Sequence, residues 1–177
     1  TGKEFWPVYK HIEKLGVAMD MHPTAPINMT GIDHRPLVPG MAFMFDTTLA
    51  TVRMVMSGVF QEFPGLKLIV PHTGGFVPFI RGRVGRMIAA WTSPDDWIDL
   101  SDSSQVSFDK IYVDTVAHSP AALEYCYKMF GAEKLLYGTD HPFSHFDEYN
   151  VMVDALACTD AERELIDHGN AEALLGL

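Results

Sequence analysis

Three observations predict a parallel α/β fold for this chain of 177 residues. Short apolar segments stop abruptly at turn residues. Each is followed by a stretch whose apolar residues fall at helical spacing, and this alternation repeats from one end of the chain to the other. Parallel strands require crossovers of this kind, usually helical. Four such units suit a small doubly wound sheet or half of a (β/α)8 barrel. A whole barrel takes about 250 residues, so this chain cannot close one unaided.

The opening "KEFWPVYKHIEKLG" reads as a helix ending at Gly16. "GVAMDMHP" (16–23) is the first strand, followed by a Pro/Gly-rich loop through Phe45. A structureless connection of that length tends to be functional, which makes it the candidate substrate lid. Asp46 is expected to cap a helix over "TTLATVRMVMSGVFQEF", whose Leu49, Val52, Val55, Met56 and Val59 recur at helical spacing. "LKLIVPH" (66–72) is the second strand and "FVPFIRGRVGRMIAAW" (76–91) the helix after it. The polar stretch 92–107 reads as a surface excursion. "FDKIYVDT" (108–115) is the third strand, after which Ser119 caps a helix that Pro120 opens. "KLLYGTD" (134–140) is the fourth, followed by a helix around 147–157 and one or two closing helices. Met19, Met21, Met41, Met44, Met54 and Met56 are read as core filler.

Composition excludes several classes of function. The chain is 47% hydrophobic and 20% charged, an ordinary globular balance without a domain linker, so 1–177 is read as one domain. Thirteen Lys and Arg stand against 23 Asp and Glu, a formal charge of −10, which argues against nucleic acid or an anionic membrane as partner. The apolar runs are too short to span a bilayer. Cys126 and Cys158 have no CxxC spacing and are read as reduced residues of a cytoplasmic protein. The sequon-like Asn28-Met29-Thr30 therefore carries no weight.

The strand ends carry the chemistry. The first finishes at His22, the second at His72 and the fourth at Asp140, each followed at once by Pro or Gly or by a short turn. Any one of them alone fits a hydrogen-bonded turn. Three together, at the ends where parallel α/β folds build their sites, point to a shared site. Period-two alternation pairs Asp20 with His22, Val70 with His72 and Gly138 with Asp140. Gly138 leaves an empty position beneath Asp140, consistent with crowding above it. His141 is a candidate pocket residue, and Arg35 in the long loop could clamp a substrate carboxylate. Asp114 ends the third strand as a candidate to orient its neighbours. His11, His118 and His168 carry no accompanying pattern.

"MHPTAP", "SGVFQEFPGLKLIVPHTGGFVPFIRGRVGR", "YVDTVAHSPAAL", "LLYGTDHPF" and "GNAEALLGL" together resemble the second half of the amidohydrolase superfamily. The resemblance is nearest to its branch of aminocarboxymuconate-semialdehyde decarboxylase and related metal-dependent decarboxylases and hydrolases. It implies strands five to eight of a (β/α)8 barrel, with His22 and Asp140 as metal ligands and His72 acting on water and substrate. It implies a divalent cation, zinc first and manganese or iron next, acting on a small carboxylated or carbonyl substrate through metal-activated water. Two departures stand out. The family's His-x-His or Glu-x-His pair has no counterpart in these residues, and Gly75 occupies the position where hydroxybenzoate decarboxylases of the branch carry glutamate. An alternative from another class is a catalytically incomplete half-barrel serving as an assembly module. Open sheet edges lead us to expect a homo-oligomer or a missing N-terminal half.

Overall fold

In a computed structural model, residues 2–26, 30–32, 34–91 and 108–177 are described. The predicted excursion at 92–107 lies outside them, as do Asn28, Met29 and Asp33. Strands β1 (Ala18–Asp20), β2 (Lys67–Val70), β3 (Ile111–Asp114) and β4 (Leu135–Leu136) form one sheet, every pair parallel, in the order β1-β2-β3-β4. A doubly wound sheet reverses its strand order at a switch point; this one never does. With right-handed crossovers, sequential order keeps the helices on one face. The sheet is an arc of a barrel, which decides between the two architectures the alternation allowed.

Among the described residues the regular α-helices are α1 (Trp6–Leu15), α2 (Phe43–Met56), α3 (Val59–Glu62), α4 (Val77–Trp91), α5 (Pro120–Phe130), α6 (Phe146–Asp154), α7 (Asp160–Glu164) and α8 (Asn170–Leu175). Gly16 closes α1 in the left-handed conformation, its N–H donating to the Ile12 and Glu13 carbonyls. Register places Leu68 beside Ile111, Val70 beside Val113 and Val113 beside Leu135. These five side chains are essentially fully buried and join Val55, Val59, Val77, Leu123 and Val153 from the helices in one core. Each such aliphatic residue contributes about 1.5–3 kcal/mol on burial. Ile69, Tyr112 and Asp114 point to the opposite face and are only half-buried. That second face is the inner face of the arc.

Several expectations are corrected. Asp46 does not cap α2; the chain is already helical through a π turn at Val38–Ala42, so Asp46 lies in the first turn of α2. The connection from 23 to 45 is accordingly less a structureless lid than its composition suggests. The apolar spacing of α2 marks only part of its buried side: Val55 and Val59 are fully buried and Val52 packs against the core. Leu49 is exposed, and the buried positions are Thr47, Thr48, Thr51, Met54 and Val55. Met41 is exposed rather than core. Ser119 stands extended before Pro120, yet makes no side-chain cap bond. No described helix is long and apolar enough to cross a membrane. The tail is pinned to β4, because the buried Asn170 amide donates to the Ala132 and Leu135 carbonyls at 2.7 Å each.

Candidate functional site

At the C-terminal end of the sheet, one ligand atom from each of His22, His72 and Asp140 lies within 4.8 Å of the others. Among the described residues this is the one such group of three or more His, Cys, Asp or Glu side chains. It contains the three residues that the strand ends single out. Arg35 is exposed on the turn before the π turn, its carbonyl accepting the Val38 N–H, and His141 is exposed beside Asp140. Neither belongs to the cluster.

Each member reaches the site by a different local device. His22 follows β1 by alternation from Asp20, which register puts beside Ile69 on the inner face. Its Nδ1–H donates to the Pro23 carbonyl at 2.8 Å. A carbonyl only accepts, so that bond places the proton on Nδ1 and leaves Nε2 with a free lone pair. Asp140 shares the parity of Leu136 and turns into the site with φ of 56°. His72 breaks the alternation. Strict period two would place it under the helices with Val70. Instead the backbone turns left-handed at His72 and Thr73, with φ of 54° at both, and the side chain joins the inner face.

That turn is held from two sides. The Asp114 carboxylate on β3 accepts the N–H of His72 at 2.9 Å and of Thr73 at 2.8 Å, and also that of Val116 at 3.0 Å. From α2, the Thr48 hydroxyl accepts the Phe76 N–H at 2.7 Å. Gly75 is packed so closely there that a Cβ would stand 2.7 Å from Thr48 Oγ1 and 2.9 Å from the Met44 carbonyl. Its φ of 62° with ψ of −129° is a conformation open essentially to glycine alone. The absent glutamate at this position is therefore a backbone requirement of this chain. The buried threonines of α2 gave no sequence signal because period analysis looks for apolar residues.

Electrostatics follow from burial. Desolvation pushes the Asp114 carboxyl above the ordinary carboxylate range, while the bonds from Thr73, His72 and Val116 and the nearby His72 imidazole pull it back. Burial likewise raises the Cys126 thiol, helped by the Asp114 charge, so Cys126 is a neutral core group whose Sγ lies 3.5 Å from the Thr73 carbonyl. Past β3, His118 is held left-handed at φ of 53°, its Nδ1 lying 3.1 Å from the buried Tyr149 hydroxyl, which donates to Ser144. Burial raises the Tyr149 pKa first, and the charges of Asp140 and Asp114 add to it. His118 carried no pattern because its partner lies 31 residues away.

The donor set fits a divalent cation. Imidazole nitrogens and a carboxylate suit first-row metals. Small side-chain rotations close a spread of this size around one ion. His22 is already set as the tautomer that ligates through Nε2, and the buried Nδ1 of His72 has no hydrogen-bond partner among the described residues.

A parallel arc with imidazoles and a carboxylate converging at its strand ends defines a (β/α)8-type enzyme site. The amidohydrolase family model matches residues 1–177, and the chain belongs to that family. It is 31% identical over 178 residues to 2-amino-3-carboxymuconate-6-semialdehyde decarboxylase of Dictyostelium discoideum, covering 97% of this chain and 48% of the relative. It is 26% identical to the gamma-resorcylate decarboxylase of Rhodococcus jostii, covering 97% and 54%. The crystal structure of a dihydroxybenzoic acid decarboxylase from Polaromonas, with bound manganese and the inhibitor 2-nitroresorcinol, superposes with a TM-score of 0.86 at 25% identity, covering 98% and 54%. The chain thus spans about half the length of the relatives it matches, consistent with the C-terminal half of their barrel.

Proposed function

We propose that this chain forms part of a metal-dependent decarboxylase acting on a small carboxylated substrate. The single observation that carries the reading is the convergence of His22, His72 and Asp140 within 4.8 Å at the strand ends. His22, through Nε2, and Asp140 would hold the cation. Manganese is favoured by the Polaromonas structure, with zinc the alternative for the same donors. When bound, the cation supplies positive charge that binds and orients the substrate's oxygen atoms. The left-handed turn aims the His72 imidazole at the same face, where it delivers a proton. The carbon–carbon bond to the carboxylate breaks, carbon dioxide leaves, and the electron pair left on carbon takes that proton. Asp140 balances the charge of the cation and of the imidazolium that precedes transfer. A hydrolase would use the same groups on water; the decarboxylases among the relatives favour loss of carbon dioxide.

The test uses the complete native polypeptide. Incubation with 2,6-dihydroxybenzoate and with 2-amino-3-carboxymuconate semialdehyde should release carbon dioxide, should stop after chelation, and should resume on addition of manganese or zinc. Turnover that survives exhaustive chelation with no metal detectable in the protein would reject the reading.

A further inference from the structure

We infer that Asp114 is the positioning residue that places His72 in the site, and that only a carboxylate can do this at position 114. The inference deepens the proposed function, resting on the role given there to His72. It starts from a geometric conflict. Leu68 and Val70 face the helices, so continued alternation would bury His72 on that side, away from His22 and Asp140. Two consecutive left-handed residues, His72 and Thr73, reverse this. That conformation costs a non-glycine residue about 1 kcal/mol or more, so something outside the turn must hold it.

Asp114 is the group in place to do so. It ends the neighbouring strand β3 on the inner face, one residue beyond the last register pair between β2 and β3, Val70 with Val113. Its two oxygens are divided: Oδ2 accepts the His72 N–H at 2.9 Å, while Oδ1 accepts those of Thr73 at 2.8 Å and Val116 at 3.0 Å. Hydrogen bonds to a charged acceptor are about twice as strong as neutral ones. Three donors converge, and no acceptor is left over among them. Asparagine offers one oxygen and one NH2, so whichever way its amide is set, an NH2 meets a backbone N–H. Kept on Thr73 and Val116, it repels His72. The amide is nearly isosteric with the carboxylate and fails at the one bond that fixes the histidine.

The room for this carboxylate is also built in. Gly138 leaves its side-chain position empty, as the sequence suggests, but the crowding comes from the adjacent strand rather than from Asp140. A Cβ at Gly138 would stand 3.1 Å from Asp114 Cβ and 3.7 Å from Val116 Cγ2. Gly138 is not among the residues with positive φ, so alanine fits its backbone. A methyl group there acts by displacing Asp114 alone. Gly138 and Asp114 are two routes to one effect.

The experiment follows the His72 amide and ring by NMR in the complete native polypeptide labelled with 15N and 13C histidine, threonine and valine. Without metal, Asp114→Asn should shift the His72 amide signal most, with Thr73 and Val116 moving less. With diamagnetic zinc added, the His72 ring signals should shift in the parent protein, because the ring faces the ion. That shift should be lost in Asp114→Asn, while bound zinc per chain stays unchanged. A general collapse of the site would instead lose the metal as well. Gly138→Ala should show the same pattern at smaller amplitude, and it decides the question if Asp114→Asn does not fold. A His72 amide and ring that stay put in the folded variants would overturn the inference, as would loss of zinc together with the ring shift. Failure of the parent to bind manganese or zinc would overturn the proposed function, leaving the metal-free amide shifts to judge Asp114.

Discussion

The rim of the sheet and the closing helices of the tail are built by opposite rules. Among the described residues, the non-glycine positions with left-handed φ are His72, Thr73, His118 and Asp140. All four follow the C-terminal ends of strands, and two belong to the cation cluster. The tail has none. There Thr159 and Glu162 form a reciprocal capping box, Arg163 pairs with Asp154 and Asp167 on the surface, and Gly176 takes the left-handed cap. Strain gathers where side chains must converge against the local preference of the chain, and local consistency rules where nothing converges. The difference locates function without reference to any relative.

The most drastic way to break the rim is to remove a donor. Asp140→Ala takes away the only carboxylate of the cluster, and bound metal should fall to background in mass spectrometric analysis of the dialysed complete polypeptide. Turnover should drop with it by about a thousandfold or more. The melting temperature of the metal-free protein should hardly change, since Asp140 lies in a turn outside the hydrophobic core. Retention of stoichiometric metal by the variant would mean that the cluster is not the binding site.

The strand–helix alternation, the order of the elements and the three strand-end side chains were all legible in the residues, because apolar periodicity and the punctuation of Pro and Gly report local structure directly. What was not legible depended on contacts between distant segments. Alternation put His72 on the wrong face, since only the Asp114 bonds from β3 reveal the reversal. The start of α2 was misplaced at Asp46 because a π turn precedes it, and Thr48 escaped notice because the N–H it accepts belongs to Phe76, 28 residues away. Gly75 could be seen as a departure from the family pattern, but its steric cause needed the neighbouring helix.

Two substitutions sharpen the contrast through stability. Gly75→Ala forces a Cβ against Thr48 and the Met44 carbonyl at a φ of 62°, and overpacking and backbone strain together should cost about 2–4 kcal/mol. Asn170→Ala removes the buried side-chain donor to the Ala132 and Leu135 carbonyls, at a cost of about 2 kcal/mol. Denaturant midpoints measure both. The two should differ in kind as well: Gly75→Ala should disturb the turn that carries His72 and so lower turnover of the folded protein, and Asn170→Ala should not. Equal loss of turnover in both folded variants would erase the distinction between rim and tail.

The smallest effect tests the tail by its own rules. Thr159 caps α7 through its hydroxyl, which accepts the Glu162 N–H at 3.3 Å, and the Glu162 carboxylate accepts the Thr159 N–H at 2.8 Å. Thr159→Ala should therefore cost about 1 kcal/mol at neutral pH. Bonds from the Thr159 backbone first, then its hydroxyl and the Tyr127 hydroxyl, hold the Glu162 carboxyl below its ordinary range. A lowered carboxyl stabilises the fold above the ordinary glutamate range and loses that contribution as pH falls through the lowered value. Thr159→Ala removes one of these bonds, so the penalty should be full at neutral pH and shrink as Glu162 becomes protonated. A penalty independent of pH from neutral into the acid range would show that the capping box contributes through the threonine alone.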